Sequence, residues 1–350
     1  MSSGQPTWLV TGGAGFIGRA LVRQLLSQAA RRRVVVVDAM TYAAHPVALA
    51  ALAELGHLDV VEGDIADSAL VERLMDRFRP EVVLNLAAES HVDRSLQDST
   101  PFLRTNIIGT QVLLQAALRQ GVGRFVQVST DEVYGDREGL RAAREGDATR
   151  ASNPYSISKT CADSLLLAAV RSHGLDAVVT RGCNTYGPGQ FPEKLLPLAA
   201  LRWSRGQPMW VYGDGQQERT WIHVDDHAAG ILAAAVSGRS GGIYHLRHGA
   251  PRSNEQTLRD WHAALGMAGA IDDLLQESAD RPGHDRRYAL SDAKTRRELG
   301  WRPTTPWKRG LQVTAAWLHQ HPAFWDSALG RADFARYVEG QYGSPWSPSP

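Results

Sequence analysis

Apolar residues in this chain come in short unbroken runs rather than strict alternation. Trp8 to Thr11, Val34 to Val37, Val60 to Ile65, Val82 to Leu86, Phe125 to Val128 and Val178 to Arg181 each predict a short strand. Unbroken apolar runs of this length suit strands covered on both faces. Between them the spacing turns helical: Ala20, Leu21, Leu25 and Leu26 form one apolar face, a long helix is expected from about 101 to 119, and another opens at Pro154. Strand and helix alternate from Thr7 to about Tyr186, the pattern of an α/β fold with a doubly wound parallel sheet. Past Arg181 the character changes. Gly182 to Lys194 is rich in turn formers, and Gly206 to Gly215 is a strand held between loops. Residues 225–236 read as a helix and Ile243 to Leu246 as a strand returning to the main sheet. The expected organisation is interleaved: 1–184 with 225–247 for the large sheet, 185–224 and 248–340 for a smaller α/β substrate-binding lobe, and 341–350 as a mobile tail.

With 350 residues, 43% hydrophobic and 21% charged, the chain can build a sizeable core. The formal net charge of +1 gives no reason to expect a nucleic acid or a membrane as partner. The apolar runs fall short of the roughly 20 residues that a membrane span requires, and residues 1–7 lack a charged start followed by an apolar core. A cytoplasmic location is expected. The two cysteines, Cys161 and Cys183, have no metal-ligand spacing and suggest no disulfide framework, which suits a reducing compartment; no metal is expected. Cys161 reads as packing, whereas Cys183 could line a site.

The first strand runs straight into Gly12-Gly13-Ala14-Gly15-Phe16-Ile17-Gly18 and then a helix. Gly12, Gly15 and Gly18 permit a tight turn, close approach to a pyrophosphate and close helix packing, with phosphate at the helix N-terminus. The second strand ends in Asp38, about twenty residues on, where a carboxylate accepts ribose hydroxyls; that favours NAD over NADP. Arg31-Arg32-Arg33 precedes this strand, hence lies at the opposite sheet edge, and reads as a solvated face. Asp64 is expected either at the adenine edge or as the N-cap of a helix starting near Ser68. Ala87-Ala88-Glu89-Ser90-His91 follows the fourth strand, with small residues that let backbone pass close to a ligand.

The central strand ends in Ser129-Thr130-Asp131-Glu132, on the side of an open α/β sheet where ligands bind. Tyr155 and Lys159 stand four apart on one helix face, and an ammonium beside a phenol is expected to favour the phenolate. Such a pair can take a proton from an alcohol as hydride leaves.

With these motifs together, the chain resembles the extended short-chain dehydrogenase/reductase family, with its Rossmann-like fold. STDEVYG (129–135), AAESHVDRS (87–95), NPYSISK (153–159), FPEK (191–194) and RPGHDRRY (281–288) are similar to the dTDP-glucose 4,6-dehydratases among its members. The resemblance runs from Thr7 to about Pro303, and Thr130-Asp131-Glu132 is its most specific element, since related 4-epimerases usually lack the Asp-Glu pair. It implies that Tyr155 is the base for oxidation at the sugar C4, Lys159 supports it, Thr130 bonds the C4 oxygen, Glu132 removes the C5 proton and protonated Asp131 hands a proton to the departing C6 hydroxyl. A nucleotide-diphosphate sugar would be the substrate and NAD, reduced and then reoxidised within each turnover, a tightly held cofactor.

The same resemblance implies that NAD meets Gly12, Gly15, Phe16, Ile17, Gly18, Asp38, Ala39, Met40, Thr41, Asp64 and Ile65. Its other contacts would be Leu86, Ala87, Ala88, Ser90, Thr105, Tyr155, Lys159 and Thr185, the last standing where Asn is more usual. Substrate contacts carried over are Ser90, Thr130, Asn184, Lys194, Leu195, Trp210, Tyr212, Arg219, Asn254, Arg281 and His284. Arg219 and Arg281 suit bidentate pairing with a diphosphate and Tyr212 suits stacking on a pyrimidine. Trp210 and Leu246 to Gly249 depart from the family pattern near the expected base, leaving thymine against uracil open. A homodimer joined through the helices at about 101–119 and 155–172 as a four-helix bundle is also implied. The alternative reading is a nucleotide-sugar 4-epimerase, or a dehydratase for another nucleotide sugar such as UDP-glucose.

Overall fold

The computed structural model describes residues 5–28, 32–322, 324, 334, 336, 339 and 340. In chain order the strands begin with β1 (Thr7–Thr11), β2 (Arg33–Asp38), β3 (Leu58–Glu62), β4 (Val82–Asn85), β5 (Arg124–Thr130) and β6 (Ala177–Gly182). They continue with β7 (Asn184–Tyr186), β8 (Met209–Tyr212), β9 (Glu218–Arg219), β10 (Trp221–His223), β11 (Ile243–Leu246), β12 (Arg252–Ser253) and β13 (Leu275–Ser278). Seven of them form one sheet in the order β11-β6-β5-β4-β1-β2-β3, with every neighbouring pair parallel. The chain winds outward from β1 through β2 to β3, then restarts at β4 on the other side. The reversal between β1 and β4 opens a crevice at their C-terminal ends.

Residue-by-residue alternation divides the apolar runs between two cores. Val34 and Val36 face Leu21, Leu25 and Ile231 on one side of the sheet. Val35 and Val37 face Leu74, Met75 and Leu113 on the other. That is why β2 reads as continuous valine: both faces are dry. A third core, built on Leu196, Trp203, Met209, Leu258, Trp261 and Leu311, lies among the later segments, where β8 pairs with β13, β9 with β12 and β7 with β10. As expected, Ile243–Leu246 joins the main sheet, beside β6.

The expected long helix is continuous from Thr100 to Gln120 but not uniform. Leu103–Gly109 is wound as a π segment before α geometry resumes at Thr110, and Gly121 closes it in the left-handed region. Such segments often mark functional sites. Here the wide turn contains Asn106, whose carboxamide accepts the Glu89 N–H and donates to Glu89 O and to Ser158 Oγ. The loop after β4 is thereby fastened to the helix Pro154–His173. Residues 341–350, expected as a tail, lie outside the described residues, as does Arg31. Arg32 lies over the Trp8 ring and Arg33 pairs with Asp59 at 2.7 Å, at the sheet edge away from the crevice.

Candidate active site

The crevice is a cavity of about 440 Å3 running from the glycine loop to the end of β5. Gly12 sits in the left-handed region at φ 68, and a Cβ there would come within 2.7 Å of the Ala87 nitrogen. A Cβ on Gly18 would run into the Gly12 carbonyl oxygen. The loop therefore presses against β4 and its own helix, as the spacing predicts. The helix Phe16–Ser27 begins at Gly15 with no side-chain cap and no acidic residue in its first turn. Its leading N–H groups thus lack a side-chain acceptor, a site suited to an anion. Asp38 closes the loop from the side. Its Oδ2 accepts the Ala14 N–H and its Oδ1 the Met40 N–H, both at 2.9 Å. Burial pushes its carboxyl up, and these two bonds hold it down.

Asn153, with Pro154 behind it, starts the helix Pro154–His173 through a capping box with Ser156. Tyr155 and Lys159, 9% and 3% exposed, are thereby turned into the cavity. The expectation that Lys159 alone favours the phenolate is corrected. Its Nζ donates to the Val128 carbonyl at 2.7 Å. Burial pushes the Tyr155 phenol up, the Glu132 charge adds to this, and the Thr130 hydroxyl opposes it. Burial also lowers Lys159, to about 8.

Thr130 ends β5, and Asp131–Tyr134 forms a single 3-10 turn that swings both carboxylates under the cavity. Thr130 Oγ1 accepts the Glu132 N–H and donates to Asp131 Oδ1, each at 3.3 Å. Burial, then the adjacent Glu132 charge, pushes Asp131 up to about 8, so it is protonated at neutral pH. Glu132 is also raised by burial, but Arg281, Arg219 and Lys194 oppose the shift. Two neighbouring carboxyl groups thus differ in surroundings, which is what separate acid and base duties require.

The cavity wall contains Gly12, Gly15, Phe16, Ile17, Gly18, Asp38, Ala39, Thr41, Asp64 and Ile65. It continues through Leu86, Ala87, Ala88, Ser90, Thr105, Thr130, Asp131 and Glu132 to Tyr155, Lys159, Asn184, Thr185, Lys194 and Leu195. Met40 is not on it; at φ 50 its backbone turns and its side chain packs against the core. Asp64 is no helix cap: Asp67 caps Ser68–Phe78, while Asp64 accepts the Ala66 N–H and pairs with Arg104 at 3.0 Å.

Trp210, Tyr212, Arg219, Asn254, Arg281 and His284 also lie off this wall. Arg219 donates to the carbonyls of Glu218, Asp285 and Arg286 and stacks over Tyr288 at 4.1 Å. Arg281 pairs with Asp93. Asn254 opens the helix Asn254–Leu265, with its N–H donated to Gln217. Trp210 is half-buried on β8 with its indole nitrogen buried and unbonded.

Sequence reasoning missed Phe191, Glu193 and His227 on the wall, and Cys183 is there too. His227 Nδ1 lies 2.7 Å from Thr185 Oγ1, and burial lowers the imidazole to about 4, so it is neutral. Its position inside an apolar helix, Val224–Ser237, was the available signal.

A family model described as the NAD dependent epimerase/dehydratase family matches residues 8–246. The dTDP-glucose 4,6-dehydratase of Streptomyces griseus is 47% identical over 320 residues, covering 91% of this chain and 95% of its own length. A solved structure of DesIV, a dTDP-glucose 4,6-dehydratase from Streptomyces venezuelae with NAD and TYD bound, superposes with a TM-score of 0.88 at 40% identity. It covers 92% of this chain and 99% of the other. A UDP-glucose 4-epimerase from Thermus thermophilus in complex with NAD is further away, at 30% identity and a TM-score of 0.81, with coverage of 89% and 99%. On a matching fold, an uncapped glycine loop, and a Tyr-Lys pair facing two carboxylates, the chain belongs to the NAD dependent epimerase/dehydratase family.

Proposed function

We propose that the protein is a hydro-lyase that converts dTDP-glucose to the 4-keto-6-deoxy sugar with NAD as resident cofactor. The observation that carries this reading is the Asp131-Glu132 pair just past the end of β5, lining the cavity with Tyr155, with Asp131 buried and pushed up to about 8. An epimerase needs a base and a hydroxyl; a dehydratase also needs an acid for the leaving hydroxyl and a base for the C5 proton.

The residues present fit NAD: the uncapped start of the helix Phe16–Ser27 at the glycine loop would hold a pyrophosphate, and Asp38 closes the ribose side. When bound, NAD would supply the hydride acceptor for C4 and return the hydride to C6. Thr130 holds the C4 oxygen and Tyr155 takes its proton, with Lys159 supplying positive charge from the next helical turn. The resulting ketone acidifies C5. Glu132 removes the C5 proton, and Asp131 delivers its proton to the C6 hydroxyl, which departs as water; as hydride comes back to C6, Glu132 returns a proton to C5. The dry walls keep bulk water from quenching these transfers.

Residues 185–224 and 248–340 form the lobe that binds the nucleotide half of the substrate in this reading. The enzyme is a cytoplasmic homodimer. Support for the dimer comes from the paired helices, which leave Leu103, Ile108 and Ile157 44%, 53% and 46% exposed. No described helix is long and apolar enough to cross a membrane.

Mass spectrometry of the sugar product, with dTDP-glucose and UDP-glucose run in parallel, tests the reading. Loss of one water from dTDP-glucose is expected, faster than from UDP-glucose. An unchanged mass with both, NAD supplied, would remove the dehydratase assignment and favour an epimerase.

A further inference from the structure

Asp93 lies in the helix Val92–Gln97, which follows the cofactor-side loop after β4, and is buried at 8% exposure. Its two oxygens tie this helix to the later segments. Oδ1 accepts Arg281 Nη1 at 2.8 Å, and Oδ2 accepts the Tyr212 hydroxyl at 3.2 Å. Arg281 and Tyr212 come from separate segments, 188 and 119 residues away in sequence. The two are adjacent, with the guanidinium 6.0 Å from the Tyr212 ring centre.

Arg281 is only partly used by this pair. Its Nε is buried and has no hydrogen-bond partner. A guanidinium with one edge fixed and further donors unspent is prepared for a multidentate anion, because the fixed edge removes much of the rotamer freedom that binding would otherwise cost. Burial works against charge on Asp93, but the Arg281 guanidinium and then His91 hold its carboxyl below the ordinary range.

We propose that Asp93 is a positioning residue of the nucleotide-sugar site, which orients Arg281 toward the diphosphate and Tyr212 toward the base from the cofactor side of the cleft. The inference rests on the nucleotide-sugar reading above. It implies that cofactor-side and lobe-side halves are registered to each other by one carboxylate rather than by lobe packing alone.

The test is Asp93→Asn in the full-length protein with its NAD. The variant keeps shape but loses the charge that fixes the guanidinium. Steady-state kinetics with dTDP-glucose and calorimetric binding of dTDP are expected to show KM and Kd raised about ten-fold, the scale of one charge-assisted hydrogen bond. kcat is expected within about two-fold, a span too small to remove an interaction made only in the transition state, and bound NAD is expected to be unchanged. The Asp93→Asn/Arg281→Lys double variant should be no weaker than Arg281→Lys alone. Unchanged KM and Kd, a lower KM, or strictly additive effects would each overturn the assignment. So would a fall in Tm with KM unchanged, the mark of a structural strap. Should Asp93→Asn not fold, Tyr212→Phe removes the other tie, with KM expected up about ten-fold for one hydrogen bond to a charged carboxylate; no change there also overturns it. Wild-type protein that neither binds dTDP nor dehydrates dTDP-glucose would instead remove the underlying reading.

Discussion

The two halves of the cleft are built on different principles. The cofactor half is made of backbone: a glycine loop, an uncapped helix start and Asp38, whose oxygens are bonded to backbone N–H groups. Its members lie close in sequence and follow the ends of β1, β2 and β4 in order. The lobe half is made of long polar side chains, each already engaged: the Arg281 guanidinium by Asp93, Arg219 by three carbonyls, and the His284 imidazole, which burial keeps neutral, by Asp280 at 2.6 Å. A backbone site is specified by where the chain can turn. A side-chain site is specified by which partner each charge finds, and that depends on the whole fold.

The largest effect should come where the halves meet. Tyr155→Phe is expected to lower kcat about 10³-fold with KM nearly unchanged, since a proton-transfer group is worth 10²–10⁴-fold; a loss confined to KM would assign Tyr155 to binding. Glu132→Gln should lower turnover about 10²-fold on the same basis. This variant should accumulate the absorbance of reduced nicotinamide, with no solvent deuterium entering C5. Deuterium exchange at the wild-type rate would sink the assignment of the base.

The cofactor half is broken most directly by Gly12→Ala. A side chain there must occupy φ 68 and meet the Ala87 backbone, so a stability loss of about 2 kcal/mol and loss of copurifying NAD are expected, by calorimetry and absorbance. Conservative changes on the lobe side should leave NAD bound, which sharpens the contrast.

The most gradual effect concerns pH. Asp131 is raised from 3.8 to about 8, chiefly by burial. Between those values the unfolded chain has released this proton and the folded chain retains it, so stability falls as pH rises through the window and levels off above it. Asp131→Asn removes that slope, and its Tm should gain on wild type steadily from pH 4 to pH 8. In wild type, kcat should fall as pH rises through about 8, where the acid is lost; a flat profile there would deny Asp131 the acid role.

Much of this was legible in advance because strands buried on both faces leave continuous apolar runs, and because Gly12, Gly18 and Pro154 mark backbone events that few other residues allow. The π segment around Asn106 left no comparable mark, since its apolar spacing reads as ordinary helix. Of the two readings of Asp64, the helix cap fails for a related reason: both Asp64 and Asp67 are aspartates before a helix, and only geometry shows which side chain reaches the Leu70 N–H. Thr185 meeting His227 was likewise hidden, because the partners are 42 residues apart.

The sequence by itself determined the doubly wound sheet, the position of its crevice and which side chains stand at the end of β5 and at the start of the helix Pro154–His173, because periodicity and turn chemistry are local properties of the chain. Only the tertiary structure decided the state of those groups. Lys159 is turned to Val128, the Tyr155 phenol is raised, Asp131 is protonated beside Glu132, whose carboxyl three cationic side chains hold down against burial, and Arg281 is held by Asp93. Burial and charge pairing set these, and both are sums over segments that meet only when the chain is folded.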